Sequence, residues 1–509
     1  MALLEYTGHL SVLQAIISVL GAYALYGILL VVYRLYFSPL SKFPGPKLAA
    51  ASLWYEFYFD VYKRGKFFLE IKRLHEVYGP IVRINPYELH INDPDFYDNV
   101  YSGKRDKHSW SADMFVIPGS MISTVPHDLH RKRRAPIATY FSQQAIRQFD
   151  PVIRSKLDIL CSKYEEYMKR SEPANMEFSY TAFTTDIITE YAFGASFGFL
   201  EQPGFNTEYW PLMLSASEHS LLHKQIPWIT KLRNLIPLSL LLKMKPEMGN
   251  FVVMQNIITK QIQAVVDEKS KPRPDGIHPT IFHGLLNSDL PSSELSMQRL
   301  LGEGQTIVAA GSLTTAHYLK SATYHILAAP QVLNKLRAEL MAAMPDPTVL
   351  PPYKDLDRLP YLNAVINEGF RTSHGVLARL TRVPADDALR FHDYDIPIGT
   401  PLSMSSWLSH MNESLFPEPE KFRPERWLEP GADQLKNYLV NFTRGARMCL
   451  GKDLARTEIV YTLSTLFRRY DMELFESDET DVIIAHDFFN PRAKMDSKGV
   501  RVIFKGKIA

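Results

Sequence analysis

Cysteine is nearly absent from this chain: 509 residues hold only Cys161 and Cys449. Two cysteines so far apart exclude a disulfide framework and fit a reducing compartment. An excess of charge is missing too. With 57 Lys and Arg against 55 Asp and Glu, nothing suggests a polyanion such as nucleic acid as partner. There is no low-complexity tract, no internal repeat and no break in composition across residues 51–509, so one large domain is expected there. No Gly-x-Gly-x-x-Gly fingerprint occurs, and no stretch is left over for a flavin domain.

Charge is also missing locally. Leu10 to Tyr33 carry no acidic or basic side chain, and as a helix they are long enough to cross ~30 Å of hydrocarbon. The preceding segment holds Glu5 and no Lys or Arg, unlike a signal peptide, so an uncleaved anchor is expected over residues 1–34. Arg34, Lys42 and Lys47 follow it, which places the remainder on the cytosolic side. The sequons Asn412-Glu413-Ser414 and Asn441-Phe442-Thr443 would then go unused. Pro39, Pro44 and Pro46 make residues 35–50 a short stiff hinge.

What the rest contains is mostly helical periodicity. Ile81–Asn85 and Glu88–Asn92 alternate around Pro86-Tyr87 as a hairpin. Lys104–Ser120 reads as irregular. His127 opens a helix expected to reach Phe149, with His130 and Arg134 on one face. Cys161 falls in the helical run Ile153–Tyr167 and reads as a core residue. Phe183–Phe193 is expected to be an amphipathic scaffold helix, Trp210–Pro246 an apolar stretch, and Ser293–Leu327 one long helix ended by Pro330. Leu359–Thr372 carries Glu368 and Arg371 at i, i+3, and Leu454–Tyr470 is a further helix.

Cys449 sits in Phe442-Thr443-Arg444-Gly445-Ala446-Arg447-Met448-Cys449-Leu450-Gly451. A thiolate serves as ligand or nucleophile only where its charge is stabilised. Here two glycines free the backbone around the sulfur, and a helix starting after Gly451 would set its positive end beside it.

The stretch matches Phe-x-x-Gly-x-Arg-x-Cys-x-Gly at every fixed position, and so resembles the haem-binding loop of the cytochrome P450 family. Three more stretches follow in the family's order: Ala309-Ala310-Gly311-Ser312-Leu313-Thr314-Thr315, Glu368-x-x-Arg371 and Pro424-Glu425-Arg426-Trp427. The resemblance covers residues 43–509 and implies a mainly α fold with a small β-sheet region. It implies haem b with Cys449 as the axial thiolate, Phe442 packed beside the sulfur and Gly445 in the loop, and propionates held by Arg447, His130, Arg134 and Arg382. Glu368, Arg371 and Arg426 would form a buried network under that loop. Gly311 would let haem and oxygen approach the long helix, and Thr314, with Thr315 beside it, would be the oxygen-side hydroxyl. Phe115, Val376, Leu377, Ala378 and Phe488 would line the substrate pocket, roofed by the apolar stretch after Trp210.

In one place the sequence departs from the family: Leu313 occupies the position of the usual acid. Protons must then arrive by another route, through Ser312 or Thr315, or the chemistry needs fewer of them. The function implied is a membrane-bound monooxygenase that places one atom of O₂ in a lipophilic small molecule, with a terpenoid, meroterpenoid or polyketide as substrate by likeness to filamentous-fungal members. Electrons would come from NADPH through a separate reductase at the endoplasmic reticulum, docking on Arg131, Lys132, Arg133, Arg444, Lys452 and Arg456. A haem-thiolate isomerase, dehydratase or desaturase is the rival that Leu313 favours. A non-catalytic membrane haem protein would have no use for Thr314.

Overall fold

The computed structural model describes residues 12–233, 235–244, 248–268, 280–386 and 388–509. Residues 1–11 and Pro246, parts of the expected anchor and roof, lie outside them.

Helices dominate, and one organises the others. Met297–Ala328 runs through the middle of the largest hydrophobic core, with Ser296 preceding it and Pro330 opening the next helix. It starts four residues later than the periodicity suggests, because Ser292–Leu295 winds as a separate 3₁₀ turn. Beside it lies Met176–Phe193, which is buried on all sides. The expected amphipathic face is therefore absent, and only Phe178 and Glu190 reach partly to the surface. Its polar side chains find partners within the core, as buried polar groups must if their desolvation is to be offset. Asp186, for example, accepts the backbone N–H groups of Phe199 and Leu200 at 2.9 and 3.0 Å.

The helix from His127 stops at Ala138. A 3₁₀ turn follows, and Ser142 caps a new helix, Gln143–Arg170, by accepting the N–H of Ala145. The sequence pattern runs through this corner because both helices turn an apolar face to the same core. Cys161 is buried in the second helix, as expected.

A five-stranded sheet forms the other side, in the order Ile81–Arg83, Leu89–Ile91, Leu402–Ser403, Arg382–Pro384, Arg105–Lys107. The first two strands are the expected hairpin. The last lies within the stretch read as irregular, where Lys107 pairs directly across from Arg382. The proline-rich linker is built into this sheet rather than swinging free. Leu40 and Phe43 are core residues, and the Pro44 carbonyl accepts the Arg83 N–H at 2.7 Å. The Gly45 Cα lies so close to the Arg83 carbonyl that a Cβ would stand 2.5 Å from it.

The apolar N-terminal helix, Val12–Val32, has most of its large side chains exposed, and the apolar run Leu13–Phe37 has no fully buried residue. It fits a single-pass membrane anchor.

Candidate functional site

A cavity of about 1550 Å³ lies between the long helix, the Cys449 loop and the roof helices. Cys449 opens onto it. The loop is held by its own backbone: the Cys449 N–H donates to Phe442 O at 2.9 Å and the Met448 N–H to Gly445 O at 3.0 Å. Gly445 has φ +71°, and a Cβ there would stand 2.3 Å from the Tyr101 carbonyl oxygen, so only glycine fits. Phe442 packs edge-on against Phe370 at 5.2 Å. The helix Lys452–Arg469 starts directly behind the sulfur. Burial pushes the thiol above its ordinary value, while the Gly451 N–H and the Arg134 charge pull it back.

Around the same end of the cavity stand His130, Arg134, Arg382 and Arg447, and with them Lys107, which the sequence reading missed. Lys107 and Arg382 face each other across two strands, an arrangement of like charges that destabilises a sheet. Burial, then Arg382 and Arg447, bring the Lys107 ammonium down to about 7. Burial and the same neighbours bring Arg447 down to about 10 and His130 down to about 3. Arg447 donates to the carbonyls of Thr124 and Val125 at 2.9 and 2.7 Å, and His130 Nδ1 is buried with no partner. Among the described residues none of these five groups has a carboxylate partner. Four cations and a neutral imidazole around one void make a site for an anion. A haem with two propionates beside an iron-seeking sulfur fits it in shape and charge.

Under the loop, Glu368 is fully buried and satisfied. Arg371 holds it with two bonds of 2.7 and 3.0 Å, Arg426 with one of 3.2 Å, and the Trp427 indole N–H donates at 2.9 Å. Arg371 also donates to the Pro419 carbonyl at 2.7 Å. The expected trio comes together, with Trp427 as a fourth member.

On the long helix, Thr314 and Thr315 line the cavity, and Thr314 Oγ1 donates back to Ala310 O at 3.0 Å. Gly311 lines the cavity and also serves the helix packing behind it: a Cβ there would meet Ile188 at 2.4 Å, so glycine is needed for the close approach of Met176–Phe193. Ser312 is turned into that helix contact: its hydroxyl donates to Val308 O at 2.7 Å and its carbonyl accepts from Thr184 at 2.7 Å. Leu313 lines the cavity. A buried acid does as well. Glu458, two turns into the helix after Cys449, is buried with Oε2 unpartnered, and burial alone pushes its carboxyl well above the usual range. A single Glu on a helix gave no sequence signal to distinguish it.

Of the expected pocket residues, Phe115, Val376 and Ala378 line the cavity. Leu377 and Phe488 do not. Leu377 faces a small gap behind the wall with Phe68 and Ile71, and Phe488 is buried in the strand leading to the tip. Alternation along an extended chain explains both. The tip residue Phe489, at φ +71°, is the one that reaches the cavity, edge-on to Phe115 at 4.8 Å, with Asn490 beside it.

The basic patch is smaller than expected. Arg133 is committed to Glu294 at 2.7 Å, Arg456 to Asp357 at 2.9 Å and Arg444 to Asp98 at 2.7 Å. Arg131, Lys132 and Lys452 remain exposed.

The fold and this cavity define a haem-thiolate protein, and comparison with known sequences agrees. The model of the family described as Cytochrome P450 matches residues 45–496, and the chain belongs to that family. It is similar to a cytochrome P450 monooxygenase of Ascocoryne sarcoides, 43% identical over 98% of this chain and all of the relative. It is also similar to a tryptophan 6-hydroxylase of Fusarium equiseti, at 42% over 94% of each chain. An N-acetyltryptophan 6-hydroxylase of Emericella nidulans is 40% identical over 94% of this chain and 95% of its own. The protein is a cytochrome P450 monooxygenase, an oxidoreductase that uses haem-thiolate iron, O₂, electrons from a redox partner and a small-molecule substrate.

Proposed function

We propose that the chain hydroxylates or epoxidises a neutral lipophilic metabolite, a terpenoid, meroterpenoid or polyketide, in a fungal secondary pathway. The observation that carries this is the distribution of charge in the cavity. Every Lys and Arg that lines it among the described residues belongs to the group near Cys449. The upper wall is Met114, Phe115, Val116, Leu212, Ile229 and Phe489, interrupted by Glu208, His219, His223, Gln305 and Asn490. An amino-acid carboxylate, which tryptophan hydroxylation would bring, finds no Lys or Arg there among the described residues. Roof residues Trp228, Leu232, Leu235, Leu240 and Met244 are exposed and apolar, which suits uptake from a bilayer.

In this reading Cys449 would hold the haem iron through its sulfur, Arg134, Arg382, Arg447, His130 and Lys107 would hold the propionates, and Phe442 and Gly445 would shape the loop. Thiolate-ligated haem supplies cleavage of the O–O bond. The chain's own groups bind, orient and supply protons. The apolar wall excludes water from the substrate. Thr314 and Thr315 present hydroxyls to the cavity, and Glu458 holds a proton on the same cavity that Leu313 cannot offer. Residues 1–34 form the anchor in the endoplasmic reticulum, 35–50 the linker and 51–509 the cytosolic catalytic domain. Arg131, Lys132 and Lys452 receive an NADPH-dependent reductase.

The test is absorption spectroscopy on microsomes. The reduced, CO-bound wild type gives a far-red-shifted Soret band that Cys449→Ala lacks, and terpenoids or polyketides, but not tryptophan, shift the ferric spin state. A band typical of histidine-ligated haem in the wild type would remove the thiolate. A shift with tryptophan alone would remove the substrate class.

A further inference from the structure

Away from the Cys449 end, a second set of buried charge ties together segments that build the pocket. Lys224 lies in the last turn of the roof helix Tyr209–Gln225, its side chain 10% exposed. Its Nζ is 2.7 Å from Glu56 Oε1, 2.7 Å from Asp60 Oδ2 and 5.2 Å from the centre of the Trp110 ring. Glu56 and Asp60 belong to the turns just after the linker. Trp110 belongs to the short helix Ser109–Ala112, which leads into Phe115.

The same acids reach further. Arg379, next to the pocket residue Ala378, holds Glu56 at 2.6 Å and Glu88 at 3.0 Å. Asp487 is half-buried within reach of the charges of Asp60, Lys224 and Arg379. Its Oδ1 accepts the Phe489 N–H at 2.9 Å, and Phe489 O accepts from Leu377 and Ala378 at 2.9 and 3.3 Å. Roof, loop, floor and hairpin tip therefore meet at one cluster of four acids and two bases.

Lys224 is the charged member that joins roof to floor. Without it, Asp60 keeps, among the described residues, only the neutral amide of Gln225 on the same roof helix, at 3.3 Å, and Glu56 keeps Arg379 and Asn85. Lifting the roof helix at this end strands buried charge on both sides, which makes the open arrangement rare. Outside the cluster, Arg64 and Glu218 also bridge floor and roof, at 2.6 Å, but with side chains 47% and 27% exposed. Such a pair contributes little.

We propose that Lys224 is a positioning residue that latches the roof helix to Glu56 and Asp60, so that a bulky ligand enters the cavity only when this contact opens. The proposal rests on the haem reading only through its probe, because azole nitrogens report by binding ferric haem.

Stopped-flow absorbance on the haem-loaded full-length protein in nanodiscs compares imidazole, which is small, with clotrimazole, which carries three aryl rings. Lys224→Met raises the association rate of clotrimazole about tenfold or more and leaves that of imidazole unchanged, as expected when a buried pair restrains opening. Lys224→Arg restores the slow rate, and Glu218→Gln stays at the wild-type rate. Asp60→Asn, which keeps the shape and removes the charge, gives the same acceleration should the Met variant not accumulate. Unchanged clotrimazole rates in Lys224→Met and Asp60→Asn overturn the proposal, as does an equal change for both ligands, which would mean general loosening. A wild type that binds neither azole overturns the haem reading together with it, whereas one that binds both and is insensitive to position 224 overturns the latch alone.

Discussion

Two regions flanking the Cys449 loop are rich in buried charge and are built in opposite ways. Below the loop, Glu368 meets Arg371, Arg426 and Trp427, and the spare arginine donors go to backbone carbonyls such as that of Pro419. Above it, His130, Arg134, Arg382, Arg447 and Lys107 crowd one end of the cavity without a carboxylate partner among the described residues, and burial, before any neighbouring charge, loosens the hold on their protons. The lower network is complete in the polypeptide alone. The upper one is complete only with an anion that the polypeptide does not supply. The contrast separates charge that maintains a fold from charge that waits for a ligand.

The sharpest way to break that comparison is to remove one arginine from each side. Arg371→Ala leaves Glu368 buried beside too little positive charge, and a cost of roughly 3–5 kcal/mol is expected for such a stranded group. The protein should fail to fold or to hold haem, with or without added haem. Arg447→Ala instead relieves repulsion in the haem-free protein. Its haem-free form should melt at the same temperature as the wild type or higher, while haem is retained about ten-fold less tightly or worse. Paired melts and haem titrations check both. A folded, haem-loaded Arg371→Ala, or an Arg447→Ala destabilised most in its haem-free form, would erase the distinction.

A smaller effect is expected at an unpaired acid of the same cavity. Glu458→Gln keeps shape and hydrogen bonding but holds no acidic proton. It should slow product formation several-fold and raise peroxide released per NADPH, an effect at or below the roughly 10²–10⁴-fold span of general acid catalysis. Leu313→Glu should recover part of the loss. Unaltered coupling in Glu458→Gln would assign the proton path elsewhere.

The sequence made the Cys449 loop and the Glu368 trio legible because each depends on residues close together or on fixed short spacings. Lys107 was not legible: its meaning comes from standing opposite Arg382, 275 positions away, in a strand of three residues. Glu458 was hidden for a related reason, since the absence of a partner cannot be seen without the surroundings. The errors at Leu377 and Phe488 are one-residue errors, and in extended chain one residue is the difference between two faces. The helix Met176–Phe193 misled because threonines and an aspartate look solvent-facing until their hydrogen bonds are found inside. Gly311 carries a second constraint that the sequence did not show, because the Ile188 side chain it spares lies 123 positions away on another helix.

The gentlest probe of the one-signed rim is pH. Lys107 titrates near 7 in the haem-free fold, chiefly through burial and then through Arg382 and Arg447, against 10.5 when unfolded. Between those values the unfolded chain binds more protons than the folded one, so haem-free stability rises as pH climbs from 7 towards 10. Below 7 both forms are protonated and the penalty is at its full size. Bound propionates replace the missing anion and lift the folded value back towards its ordinary one, which flattens the dependence. Urea midpoints at pH 7 and 9 should therefore increase in the haem-free protein and change less in the haem-loaded one. Lys107→Met should remove the increase, because a side chain without a titrating group has no pKa to be restored. Equal slopes in the loaded and unloaded proteins would show that the cations at this end of the cavity are satisfied by the polypeptide after all.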